Sequence, residues 1–278
     1  MMRQSELALS AALMFTVVAA TPKSLCAQTE LTQADRIRFS DIAAGHARVI
    51  NLAWPLNEQA NYWPGERYTP FQLETIATLS QDGVLSKRMT LPEHIGTHID
   101  APNHFEEEQP DVSQLRPEDL FAEGVLIDVS LQAEVDADYV LTTEDLVEFE
   151  RNHGRIPDGA IVLLKTGWGR FWSQPVRYMG RDIRGSLHFP SFSPAAARFL
   201  IEERKAKGIG VDTLSIDCGI SQKFEVHHIV NRAGRYGLEN VAGLDQLPAR
   251  GFQLIVAPMK VEAGTGGPTR IFAVLPAK

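Results

Sequence analysis

The chain has 278 residues, a formal net charge of −8, 44% hydrophobic residues and 22% charged residues. This composition is ordinary for a folded globular protein and argues against a fibre or a disordered chain. The acidic balance argues against nucleic acid as a partner, because the nearest basic stretch, RFLIEERKAK at residues 198–207, is broken by apolar and acidic residues and reads as a helix with one solvated face.

Arg3 precedes an apolar run from Leu7 to Ala20, which has the length of a signal-peptide core and is short for a bilayer span. Residues 1–27 are therefore expected to be a signal peptide cut after Ala27, with Ala20 as the alternative. The mature chain, 28–278, is expected to be exported to the periplasm or secreted, with no membrane attachment. Cleavage after Ala27 removes Cys26 and leaves Cys218 as a packed thiol without a disulfide partner.

Residues 28–45 read as a helical lead-in. Strands are predicted at Ala47–Ala53, Thr75–Leu79, Leu85–Leu91, Gly124–Ser130, Ala160–Thr166, Gly210–Asp217, Phe252–Met259 and Arg270–Leu275, from short branched apolar runs bounded by turn residues. Residues 54–70 contain three prolines, two tryptophans and a glycine and read as a loop. Thr143–His153 reads as a threonine-capped helix closed by Gly154, and Ser193-Pro194 opens a helix running to Lys207 before Gly208. Gly264, Gly266 and Gly267 are expected to form a tight loop. Trp168, Phe171 and Trp172 fit a pocket wall or the core equally well, and Asp212, Ser215 and Asp217 read as structural residues at a strand end. Strands and helices mix with no boundary, which predicts a single α/β domain.

Residues 94–104, HIGTHIDAPNH, carry the clearest chemical signal, with three histidines and an aspartate in eleven residues. Gly96, Pro102, Thr97 and two isoleucines oppose a helix. In a straight strand His94 and His98 would stand about 13 Å apart, too far to share an ion bound at about 2 Å, so the chain must bend, and Gly96 is where it can. His98 and Asp100 share one face about 7 Å apart. The expected arrangement is a bent strand end with His94, His98 and Asp100 as ligands. Two imidazoles and a carboxylate suit zinc, manganese or iron(II) without choosing among them. An ion held there would lower the pKa of water and polarise a carbonyl. His104, beyond Pro102, is placed to act as general acid or base.

A second group, His227, His228 and Glu239, spans a turn-like segment. From spacing alone it could complete the first ion site, hold a second ion, contact substrate, or be structural.

The pattern His94, Gly96, Thr97, His98, Asp100, Pro102 and His104 resembles the cyclase family, which includes bacterial kynurenine formamidases and isatin hydrolases. The resemblance continues through residues 211–217, the His227 region, residues 238–259 and the KVEAGTGGPTRIFAVLP tail. It implies a swivelling β/β/α fold and assembly as a dimer or tetramer. It implies a metal-dependent hydrolase that opens a cyclic amide or formamide of a small aromatic substrate, with His94, His98 and Asp100 as ligands and His104 as the catalytic histidine. By the same resemblance, Asp100, His227 and Glu239 would hold a second ion, giving one or two Mn2+ or Zn2+ in all. The aromatic loop with Trp63 and Phe71 would cover the substrate, with His228 as a further contact. A metal-dependent cyclase or dehydratase, or a lactone hydrolase, is the alternative enzyme. A binding or metal-storage protein fits poorly with a spare histidine beside the ligands.

Overall fold

The computed structural model describes residues 39–277. The expected signal peptide, and the lead-in before Phe39, lie outside the described residues. A short helix at Phe39–Ala43 falls within the expected lead-in.

Twelve strands follow in chain order: β1 Ala47–Asn51, β2 Gln72–Ala77, β3 Ser86–Thr90, β4 His98–Asp100, β5 Phe121–Asp128, β6 Val140–Leu141, β7 Ile161–Lys165, β8 Ser191–Phe192, β9 Gly208–Val211, β10 Tyr236–Glu239, β11 Phe252–Pro258 and β12 Gly266–Pro276. The main sheet runs β1-β12-β11-β5-β7-β9-β10-β4, and β4 also pairs with β12. That last pairing closes the sheet into a barrel, with β1 attached outside the ring on β12. The short strand β4 is the seam. It runs antiparallel to β10 on one side and to β12 on the other, with Asp100 opposite Gly237 and Gly266.

The parallel strands β7, β9 and β10 are buried on both faces, as their apolar runs require, whereas β11 alternates between buried and exposed residues. Ile161 and Leu163 of β7 fill the barrel interior with Leu126, Leu238, Leu254 and Ile271. Val162 and Leu164 face the other way, into an outer core beneath three helices: α1 at Thr143–His153, α2 at Pro194–Arg198 and α3 at Glu225–Arg232. The same two-residue alternation sends Ile99 of β4 into the barrel and leaves its neighbours His98 and Asp100 on the outer face, on the side where α3 packs.

Helix α1 has its expected bounds, and its cap is Thr142, locked in a capping box with Asp145. Helix α2 ends earlier than its sequence suggests. It passes into a π-type turn over Phe199–Glu203, and the positive φ of Lys205 (53°) turns the chain out so that β9 begins at Gly208. Gly266 and Gly267 do not form a loop; they are the first residues of β12. Among the described residues, no helix is long and apolar enough to cross a membrane.

Candidate metal centre and active site

The bend anticipated at Gly96 is present, with φ +62° at that residue. It separates His94, on the approach to the seam, from His98 at its start. Asp100 lies between two glycines. A Cβ on Gly237 would lie 3.1 Å from Asp100 Oδ2, and one on Gly266 would fall 2.3 Å from the Ile99 carbonyl and 2.7 Å from the His94 ring. Glycine at both positions is what lets the carboxylate and imidazole occupy this place.

His98 and His227 face both Asp100 and Glu239, His94 faces Asp100 alone, and each of the three has one ring nitrogen engaged on its outer side. His98 Nδ1 lies 2.9 Å from the Gly96 carbonyl, which can only accept, so Nδ1 donates and Nε2 carries the lone pair. His98 Nε2 sits 3.2 Å from Asp100 Oδ1 and 3.3 Å from Glu239 Oε2. His227, in the first turn of α3, has Nδ1 2.7 Å from Asp217 Oδ2, and its Nε2 is 3.2 Å from Glu239 Oε1 and 3.5 Å from Asp100 Oδ2. His94 Nε2 is 3.0 Å from Thr265 Oγ1, whose own proton goes to Glu93 Oε2 at 2.6 Å. That leaves the His94 Nδ1 lone pair facing Asp100 Oδ1 at 2.6 Å.

Lone pairs facing carboxylate oxygens need positive charge between them. His98, Asp100, His227 and Glu239 are all buried, and His98 Nε2 and Asp100 Oδ2 have no hydrogen-bond partner. Donor atoms of His98, Asp100 and Glu239 lie within 4.8 Å of one another, as do those of His94, Asp100 and His104. Orphaned buried polar atoms are costly, and a nitrogen-and-oxygen set whose outer nitrogens are already held is the usual setting of a divalent ion. The residues present therefore fit such an ion.

The charges show the same demand for a cation. Burial pushes the His98 imidazolium down, but the Asp100 and Glu239 carboxylates beside it prevail and raise it to about 10. His227 is likewise raised against burial by the carboxylates around it, Asp100, Asp217 and Glu239. Asp100 is held well below the carboxylate range despite its burial, first by the His98 charge. His104 goes the other way: burial brings it down to about 3, Asp100 opposes this, and His94, His227 and His98 add to it.

The cluster forms the floor of a cavity of about 220 Å³. Trp63, Tyr68, Phe105 and Phe224 line its walls along with His94, His104, Ser215, His227 and Glu239. Trp63 meets Phe224 edge-on at 5.6 Å, and Phe105 lies 4.4 Å from the His227 ring. Such walls suit a flat, apolar molecule with a polar group turned to the floor.

Trp63 thus lies where the sequence placed it, but two other expected substrate contacts do not. Phe71 is buried with Ala60 and Ile95 in a small apolar cluster, because the chain leaves the cavity after Tyr68. His228 points away from the cavity and pairs with Glu106 at 3.0 Å, since consecutive residues on α3 face different directions. Trp168 and Phe171 belong to a buried cluster with Tyr178 and Phe189. Asp217 does more than end a strand: it accepts the His227 ring N–H and the backbone N–H groups of Val226 and His227. Phe105, Phe224 and the Glu93–Thr265 pair escaped sequence reasoning. Phe105 adjoins His104, and this adjacency was the one available signal.

Comparison with known proteins places the fold in a family. The family described as "Putative cyclase" matches residues 50–218. An isatin hydrolase of Roseibium aggregatum is 34% identical over 196 residues, covering 68% of this chain and 74% of that protein. A kynurenine formamidase of Bacillus cereus is 28% identical over 225 residues, covering 80% and 94%. A crystal structure of an isatin hydrolase bound to the product analogue thioisatinate superimposes with a TM-score of 0.82 at 28% identity, covering 86% of this chain and 96% of that one. The shared barrel and the extent of these matches show that this chain belongs to the cyclase family.

Proposed function

We propose that the protein is a metal-dependent hydrolase that opens the amide C–N bond of a small, flat aromatic substrate of the isatin or N-formylkynurenine type. The observation that carries this reading is the set of three imidazoles, each held on its outer nitrogen and turned toward Asp100 or Glu239, beneath a cavity with aromatic walls. The isatin hydrolase and kynurenine formamidase relatives support the reaction class.

In this reading His94, His98 and Asp100 hold one divalent ion, and Asp100 with His227 and Glu239 holds a second, Mn2+ or Zn2+. Bound there, such an ion supplies Lewis acidity and makes water a competent nucleophile near neutral pH. Trp63, Phe105 and Phe224 clasp the ring and exclude bulk water. His104 takes a proton from the attacking water on a ring nitrogen and passes it to the leaving amide nitrogen, so that water and amide become a carboxylic acid and an amine, the acid then releasing its proton to solvent. Export, supported by the Leu7–Ala20 run, and assembly as a dimer or tetramer, supported by the family resemblance, belong to the same proposal.

The test is to assay the purified protein on isatin and on N-formylkynurenine with added Mn2+ or Zn2+, beside an EDTA-treated control. Metal-dependent loss of one substrate is the expected result. No loss of either, with metal still bound, would move the function to a lactone or to cyclase chemistry.

A further inference from the structure

Asn240 follows Glu239 directly, is fully buried, and holds a left-handed backbone with φ +55°. Asparagine tolerates that conformation better than most residues, though at some cost. Its amide Nδ2 donates to the Gly96 carbonyl at 2.8 Å, the same oxygen that receives the His98 Nδ1 proton. Its own carbonyl accepts from Thr97 Oγ1 at 2.7 Å. The amide is fixed in orientation, because the Tyr178 hydroxyl lies 2.8 Å from Oδ1 and Nδ2 faces a carbonyl that can only accept.

These bonds form a two-way clasp between the bend that carries His98 and the strand end that carries Glu239. His98 Nε2 and Glu239 Oε2, 3.3 Å apart, are thereby set from behind by one side chain. We propose that Asn240 is a positioning residue that fixes the direction of His98 and its separation from Glu239, and so sets the affinity of the centre for its ion. The inference rests on reading His98 and Glu239 as ligands.

Two substitutions separate the clasp from the backbone. Asn240→Asp keeps the shape but replaces the donor that faces the Gly96 carbonyl with an acceptor. Asn240→Gly accepts φ +55° without strain and removes the amide without burying a charge. Outer partners of metal-bound histidines are typically worth about 10–100-fold in affinity. Calorimetric titration of the metal-free proteins with Mn2+ or Zn2+ alone should show weakening in that range for both variants. KM at saturating metal should stay near the unsubstituted value, and the melting temperature of the metal-free protein would report any general loss of structure. His98→Ala is the control for the ligand assignment. Unchanged affinity in His98→Ala would overturn that assignment itself. Loss in His98→Ala with unchanged affinity in Asn240→Gly would overturn the role of Asn240 alone, whether or not Asn240→Asp folds.

Discussion

The imidazoles of His94 and His104 lie face to face, with ring centres 3.9 Å apart and planes 21° from parallel. One ring is turned to Asp100, while the other belongs to the cavity wall. His104→Ala is expected to lower turnover by about 10²–10⁴-fold, the usual worth of a positioned proton carrier, while metal content measured by elemental analysis stays at its original level. Turnover that survives the substitution would remove His104 from proton transfer.

Asp217 holds His227 from behind, as the Gly96 carbonyl holds His98. Asp217→Asn keeps the size but weakens the hold on the ring and its preferred tautomer. Affinity for the ion at His227 should fall by about 10–100-fold, with little change in KM once metal is saturating. Titration calorimetry of the metal-free variant measures the first, and steady-state kinetics the second.

Trp63 forms the cavity wall without touching the carboxylates. Trp63→Ala is expected to raise KM by about tenfold, in keeping with the worth of one aromatic contact, and to leave metal affinity untouched. Phe71→Ala acts differently. With Phe71 buried at 5% exposure, its loss should lower stability by about 3–5 kcal/mol, which denaturant unfolding would show.

Far from the site, Arg204 binds Glu150 through two bonds of 2.6 and 2.8 Å. Burial pushes the Glu150 carboxyl up, but the Arg204 bonds and the Ile156 N–H outweigh it and hold it below the ordinary carboxylate range. A group depressed in this way stabilises the fold above its unfolded pKa, and the benefit disappears as pH falls through the folded value. Glu150→Gln should therefore cost about 2 kcal/mol near neutral pH, and the gap to the unsubstituted protein should narrow below about pH 4. A gap that stayed constant down to pH 3 would contradict the assignment.

Periodicity and turn chemistry made most of the longer strands and α1 legible, because branched apolar runs and a threonine cap act locally. The Gly210–Asp217 run leaves the sheet after Val211, and the short strands β6, β8 and β10 were not anticipated. The cluster of His94, His98, Asp100 and His104 was legible because four chemical groups sit within eleven residues, and the bend at Gly96 was anticipated because a straight strand would hold the first two imidazoles apart. Residues that act across the fold were not legible. Phe224 and Phe105 meet only when α3 packs beside the seam, and Thr265 reaches His94 only through β12. His228 was misplaced because adjacency in sequence says nothing about which side of a helix faces the cavity. Phe71 was misplaced because an aromatic residue in a proline-rich loop looks the same whether it covers a ligand or fills a gap.

The seam has a consequence for how the molecule matures. Residues 98–100 find their partners at 237–239 and 266–268, near the far end of the chain, so most of the polypeptide must be made before His98 and Asp100 have neighbours. Contacts that distant in sequence carry a loop-closure cost and form slowly. Until β10 pairs with β4, the growing chain displays the His94–His104 segment without its carboxylate partner Glu239. The cluster around His98 and Asp100 is therefore brought together through β10, and the β4–β12 pairing closes the ring around it.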